Sequence, residues 1–135
     1  MTTELRYLVL TAVLTGVLWI PVVIGYVRSR GALRPADYVI APTSSLPAWV
    51  NRANRAHMNA VETFAPFAAV VLTAHAAGVS TAVTAGAAVV YFWARLAHAV
   101  LHVSGFSHAR ARTVVFTVAW GAFMTLAVEL LRHAA

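Results

Sequence analysis

Apolar residues run almost unbroken through four stretches of this chain, and the polar positions inside them recur at helical spacing. A helix that crosses a bilayer needs about 20 mostly apolar residues at about 1.5 Å each. The four stretches cover about 5–27, 48–77, 81–103 and 112–131. Pro21 is expected to kink the first. The long polar connection from Arg28 to Pro47 holds Pro35, Pro42 and Thr43-Ser44-Ser45, and it reads as irregular. Gly78-Val79-Ser80 is so short that the second and third spans must form a tight antiparallel hairpin. The last connection, Ser104 to Ala111, holds Gly105, His108 and Arg110. The expected fold class is all-α, an integral-membrane four-helix bundle with one domain over residues 1–135.

Composition narrows the class further. The chain has 135 residues, 61% hydrophobic and 10% charged; a soluble domain has about 45–50% and about 25%. A chain this short cannot hide so much apolar surface from water, which excludes a soluble monomer. Disorder needs low hydrophobicity and is excluded too. The first apolar run is too long for a cleavable signal and has no small-residue cleavage site before Pro21. With no cysteine, disulfides, Cys-ligated zinc and a Cys nucleophile are all ruled out.

Ten arginines and no lysine give a net charge of +6. They flank or interrupt the apolar runs, as in membrane-protein loops, so no nucleic-acid partner is expected. With four spans, Arg28, Arg30, Arg34, Arg52, Arg110 and Arg112 share one face of the membrane. Glu4, Arg6, Glu129, Arg132 and His133 lie at the other. The positive-inside rule then places both long loops in the cytoplasm and both termini outside.

Ionisable residues inside a span cost about 2.5–3.5 kcal/mol on insertion and usually face a partner or a site. In the second span Arg52, Arg55, Asn59 and Glu62 fall within roughly 80° of helical arc. In the third, Tyr91, Arg95, His98 and His102 fall within roughly 60°. The first stripe suits an interhelical clamp, a polar ligand site, or both. His98 and His102 stand at metal-ligand spacing, but no nearby Asp, Glu or Cys completes a shell and Arg95 repels a cation, so no metal or haem is expected. Arg112 and Thr113 begin the fourth span, where free backbone N–H groups favour anions. Arg110 is expected to be a charge flank, and Glu129 and Arg132 an i,i+3 pair. His57, His75 and His108 carry no assignable role, and the four tryptophans read as packing or interface anchors. The cationic surplus suits an anionic, water-soluble ligand, and the spans offer an apolar partner from membrane lipids.

The residues resemble the MAPEG proteins, membrane-associated proteins in eicosanoid and glutathione metabolism. Arg52-Ala53-Asn54-Arg55-Ala56-His57-Met58-Asn59-Ala60-Val61-Glu62, followed by Phe64 and Pro66-Phe67, looks like the family signature of the second span. Arg95-Leu96-Ala97-His98 is similar to its Arg-x-x-His, Arg112-Thr113 to its Arg-Ser pair, and Arg28 to an arginine ending the first span. The resemblance covers nearly the whole chain in order. It implies a four-helix protomer, a homotrimer, and glutathione bound between neighbouring protomers near the cytoplasmic side. Arg28, Arg55, Asn59, Glu62, Arg95, His98 and His102 would hold glutathione or another low-molecular-weight thiol, with Arg112 and Thr113 at the reacting sulfur. The chain departs from the pattern at Met58, where some members carry Arg, at His102, where active members often carry Tyr, and at Thr113 in place of Ser.

Two functions are compatible with this reading. One is a bacterial-type, plasma (inner) membrane enzyme, glutathione transferase- or peroxidase-like, that activates a small thiol against a lipophilic small-molecule substrate. The other is a non-catalytic integral-membrane lipid-binding or accessory protein with the same fold.

Overall fold

The computed structural model describes residues 1–32, 34–35, 46–106 and 109–134, and the regular structure among them is entirely helical. The helices are α1 (Thr3–Val17), α2 (Trp19–Arg30), α3 (Ala48–Ala76), α4 (Ala82–Ser104) and α5 (Ala109–Ala134). Much of the connection expected to be irregular falls on residues 36–45, outside the described residues, as does His108.

α1 and α2 are separated by Leu18 alone and together make one stretch, Thr3–Arg30, so the five segments make a four-helix bundle. Pro21 has no N–H for the Val17 carbonyl, and its ring crowds that carbonyl. The helix is interrupted at Leu18, three residues before the proline, while the Leu18 N–H still reaches the Leu14 carbonyl at 3.0 Å. Gly25 lets α2 lie close to α3: a Cβ there would stand 2.5 Å from a Val50 methyl. On the far side of α1, Nδ1 of His57 lies 3.2 Å from the Thr15 carbonyl and ties α3 to the first stretch.

The hairpin between α3 and α4 is tight, with five residues, 77–81, between the two helices. Gly78 takes a left-handed φ of 70° that favours glycine, and the Val79 N–H closes on the Ala74 carbonyl at 2.9 Å. Thr81 then opens α4 with a capping box: its hydroxyl accepts from the Thr84 N–H at 3.2 Å, and the Thr84 hydroxyl accepts from the Thr81 N–H at 2.8 Å.

α4 is the central helix, packed on α1, α3 and α5. Ala87, Ala88, Ala94, Ala119 and Ala122 are buried in the main core cluster, and their small size permits close helix approach. Phe67, Val71 and Leu126 fill the same core, with Phe67 stacked on Tyr91 at 3.8 Å between centroids. Val9, Val13, Ile24, Val90, Val100 and Leu131 point outward. Three helical stretches, Thr3–Arg30, Ala82–Ser104 and Arg110–His133, are long and apolar enough to cross a membrane. α3 has 29 residues, about 43 Å at 1.5 Å each, but carries Arg52, Arg55 and Glu62 and is not among the three.

At the end where α4 begins, Glu4 is buried at 3% exposure. Ser80 donates to both carboxylate oxygens at 3.1 and 3.2 Å, and the Thr84 hydroxyl donates to Oε1. Thr81 donates to Glu129 at 3.3 Å, and Glu129 also lies 3.8 Å from Nδ1 of His133. Glu129 therefore takes Thr81 and His133 rather than the Arg132 that spacing suggested.

Candidate functional site

The opposite end of the bundle gathers the polar residues. On α4, Tyr91, Arg95 and His98 sit on the face turned into the bundle and are 3%, 4% and 5% exposed. Pro66 lies inside α3 and supplies no N–H to the Glu62 carbonyl. The next carbonyl along, that of Thr63, accepts from Oη of Tyr91 at 2.8 Å. Arg95 reaches the same helix, donating from Nη2 to Oδ1 of Asn59 at 2.8 Å.

These contacts leave hydrogen-bonding capacity over. Among the described residues, Nη1 of Arg95 and Nδ1 of His98 are buried with no hydrogen-bond partner. A buried polar group without a partner costs about 1–3 kcal/mol, more when charged, so such atoms mark a place where something else can bind. The two polar columns thus touch at one pair, Asn59 and Arg95, without saturating each other.

Three cavities follow the columns. A cavity of about 250 Å³ lies among Glu62, Thr63, Pro66, Tyr91 and Arg95 on one side and Phe116, Ala119, Trp120 and Phe123 on the other. Its floor is polar and its far wall is apolar. A second, of about 350 Å³, is lined by His98, His102, Arg112, Thr113 and Phe116. The third is an open polar cleft of about 510 Å³ lined by Ala48, Asn51, Arg52, Asn54, Arg55, His102 and Arg112. Phe116 is common to the first two, and His102 with Arg112 to the last two.

Local structure places these groups. α5 begins at Ala109, so Arg112 lies in its first turn, where unpaired N–H groups and the helix dipole favour anions. Gly105 ends α4 at φ 74 and has no side chain, and Arg52 crosses that bare backbone. A Cβ on Gly105 would stand 2.9 Å from both Cζ and Nε of Arg52. The His98 ring lies 4.6 Å from the His102 ring and 5.8 Å from Phe116.

Most of the residues expected from the sequence converge here. Arg55, Glu62, Arg95, His98, His102, Arg112 and Thr113 line one or more of the cavities, and Asn59 holds Arg95. Arg28 lines none of the three and is exposed near the end of α2. Asn51, Asn54 and Phe116 are lining residues that the sequence reading does not pick out, and Trp120, expected as a packing or interface anchor, lines the first cavity; Phe116 and Trp120 follow Arg112 at steps of four, the period of one face of α5. Chemically, the arrangement is a cationic recess with an apolar neighbour: it can hold an anion beside a lipophilic group.

Comparison with curated proteins finds no match. The sequence model of the MAPEG family matches residues 6–132, almost the whole chain. That family consists of membrane four-helix bundles whose members include glutathione transferases and peroxidases. With a matching bundle, apolar helices able to span a bilayer and a match of this extent, the chain is an integral membrane protein that belongs to the MAPEG family.

Proposed function

We propose that this protein is a membrane-bound enzyme that ionises a small thiol and directs it at lipophilic electrophiles. The observation that carries this reading is Arg95: a guanidinium 4% exposed, fixed by Asn59, with Nη1 unpartnered beside a cavity whose far wall is apolar. Such a group holds a carboxylate strongly, because charge-assisted bonds are about twice as strong as neutral ones. The thiol is glutathione or another low-molecular-weight thiol carrying carboxylates. Arg55, Asn59, Glu62, Arg95, His98, His102 and Arg28 position it, Arg112 stabilises the thiolate, and Thr113 donates a hydrogen bond to sulfur. The reaction is thioether formation, or reduction of a lipid hydroperoxide to its alcohol and water while two thiols are oxidised to a disulfide.

Arg55 and Glu62 are exposed in a single protomer, and a second copy packed on this face would cover them. That supports association of copies with the thiol between neighbouring protomers, and the assembly proposed is a homotrimer. The arginine-rich end supports an orientation with both long loops in the cytoplasm, and the membrane proposed is a bacterial plasma membrane. Calorimetry of the purified protein against glutathione and related thiols tests the reading, together with ultraviolet absorbance of the bound thiolate. Wild type should bind and show the thiolate band, and Arg112→Ala should lose the band. A protein that binds no thiol would favour the non-catalytic lipid-binding or accessory role instead.

A further inference from the structure

We propose that His102 is the base that takes the thiol proton, and that it later returns this proton to the electrophile. The inference rests on the thiol-activating reading above and assigns a step within it. His102 and Arg112 are the two residues shared by the polar cleft and the smaller cavity beside it. A ligand running from one space into the other must pass both. Making a thiolate needs a proton acceptor and a cation to hold the resulting anion, and these two side chains supply one each.

The other lining groups do not fit the first role. Arginine stays protonated in proteins, which removes Arg52, Arg55 and Arg112. The Thr113 hydroxyl donates but does not hold a second proton near neutral pH. Glu62 lines the apolar-walled cavity rather than either of these two. His98 is 5% exposed and sits behind His102, with the two rings 4.6 Å apart, so it is a positioning residue. Imidazole is the side chain that exchanges a proton in the physiological range. The charged and titratable groups around His102 are Arg52 and Arg55 from α3, Arg95 and His98 from α4, and Arg112 from α5.

The step balances for addition to an α,β-unsaturated carbonyl compound. The S–H proton moves to an imidazole nitrogen of His102, and the bond's electron pair stays on sulfur beside Arg112. That pair forms the new C–S bond at the β-carbon, and the displaced π pair moves to the enolate. Protonated His102 then gives its proton to the enolate, which leaves the thioether and restores neutral imidazole. No oxidant or reductant is consumed.

The test measures glutathione binding, thiolate absorbance and the pH–rate profile of glutathione addition to a lipophilic enone. Wild type, His102→Gln and His102→Ala are compared. Wild type should show a rate plateau above the imidazole titration. His102→Gln keeps a side-chain donor and acceptor to position the thiol but cannot take its proton, so it should bind glutathione within about threefold of wild type, yet lose about 10²- to 10³-fold in kcat. Its remaining rate should climb about tenfold per pH unit, as expected when hydroxide replaces the base. Added imidazole should restore activity to His102→Ala in proportion to its neutral form, a readout that a merely structural role does not move. If His102→Gln keeps both rate and plateau while wild type binds and reacts, this assignment is overturned and the thiol reading stands. If imidazole fails to rescue a His102→Ala protein that still binds glutathione, the base role is again overturned. A wild type that binds no thiol overturns both.

Discussion

Asn59→Ala removes the acceptor from a guanidinium that the bundle has almost sealed off. Arg95 is 4% exposed and its bond to Asn59 Oδ1 is 2.8 Å long, while Nη1 already lacks a partner. A hydrogen bond to a charged group contributes about 1.5–3 kcal/mol, and leaving a buried charge unpaired costs more. The neighbouring cavity of about 250 Å³ can admit water to the freed guanidinium, which favours the lower part of that range. The expected loss is therefore about 2 kcal/mol, read as the shift in reversible unfolding in mixed micelles. Asn59→Asp separates stability from binding. Its carboxylate keeps the bond to Arg95, so the unfolding midpoint should hold, but it neutralises the cation that the thiol's carboxylate would use. Glutathione affinity in calorimetry should fall about 10- to 100-fold. An Asn59→Ala protein within about 0.5 kcal/mol of wild type, together with an Asn59→Asp protein that binds glutathione normally, would refute the reasoning.

Three further perturbations address the frame around the site. Gly105→Ala forces a side chain into φ 74 and sets a methyl 2.9 Å from Arg52, so it should cost about 1–2 kcal/mol and displace that arginine; unfolding together with glutathione calorimetry reads both effects. Gly25→Ala places a Cβ 2.5 Å from Val50 and 2.9 Å from Trp49, and overpacking of this kind costs about 1–3 kcal/mol, measurable as a lowered unfolding midpoint. Thr84→Val deprives buried Glu4 of one donor and should cost about 1–3 kcal/mol. Because that network lies at the other end of the bundle, glutathione affinity should not change, and a parallel loss of binding would contradict the separation of the two ends.

The α4 column could be read from the sequence because its polar residues share the arc of its buried ones. Tyr91, Arg95 and His98 follow the same helical face as Thr84, Ala87, Ala88 and Ala94. The α3 stripe was legible as a stripe but not as to where it points. The buried positions of α3 include Ala53, Ala56, Ala60, Phe67, Val71 and Ala74, and the polar residues lie roughly 100° around the helix from them. Packing of small residues sets the rotation of α3, and this leaves Arg55 and Glu62 exposed in one protomer while Asn59 is half-buried. The Glu4 network had no local signal, since its partners Ser80 and Thr84 are 76 and 80 residues away. The interruption at Leu18 was legible through Pro21, three residues further on, whose missing N–H leaves the Val17 carbonyl without its helical donor.

The most direct measurement of the central claim is a density map of the protein with glutathione bound in a bilayer mimic. The account predicts carboxylate density against Arg95 or Arg55, and sulfur density between Arg112 and His102. Glutathione bound away from these side chains, or helices closed over Nη1 of Arg95 with no ligand density, would contradict it.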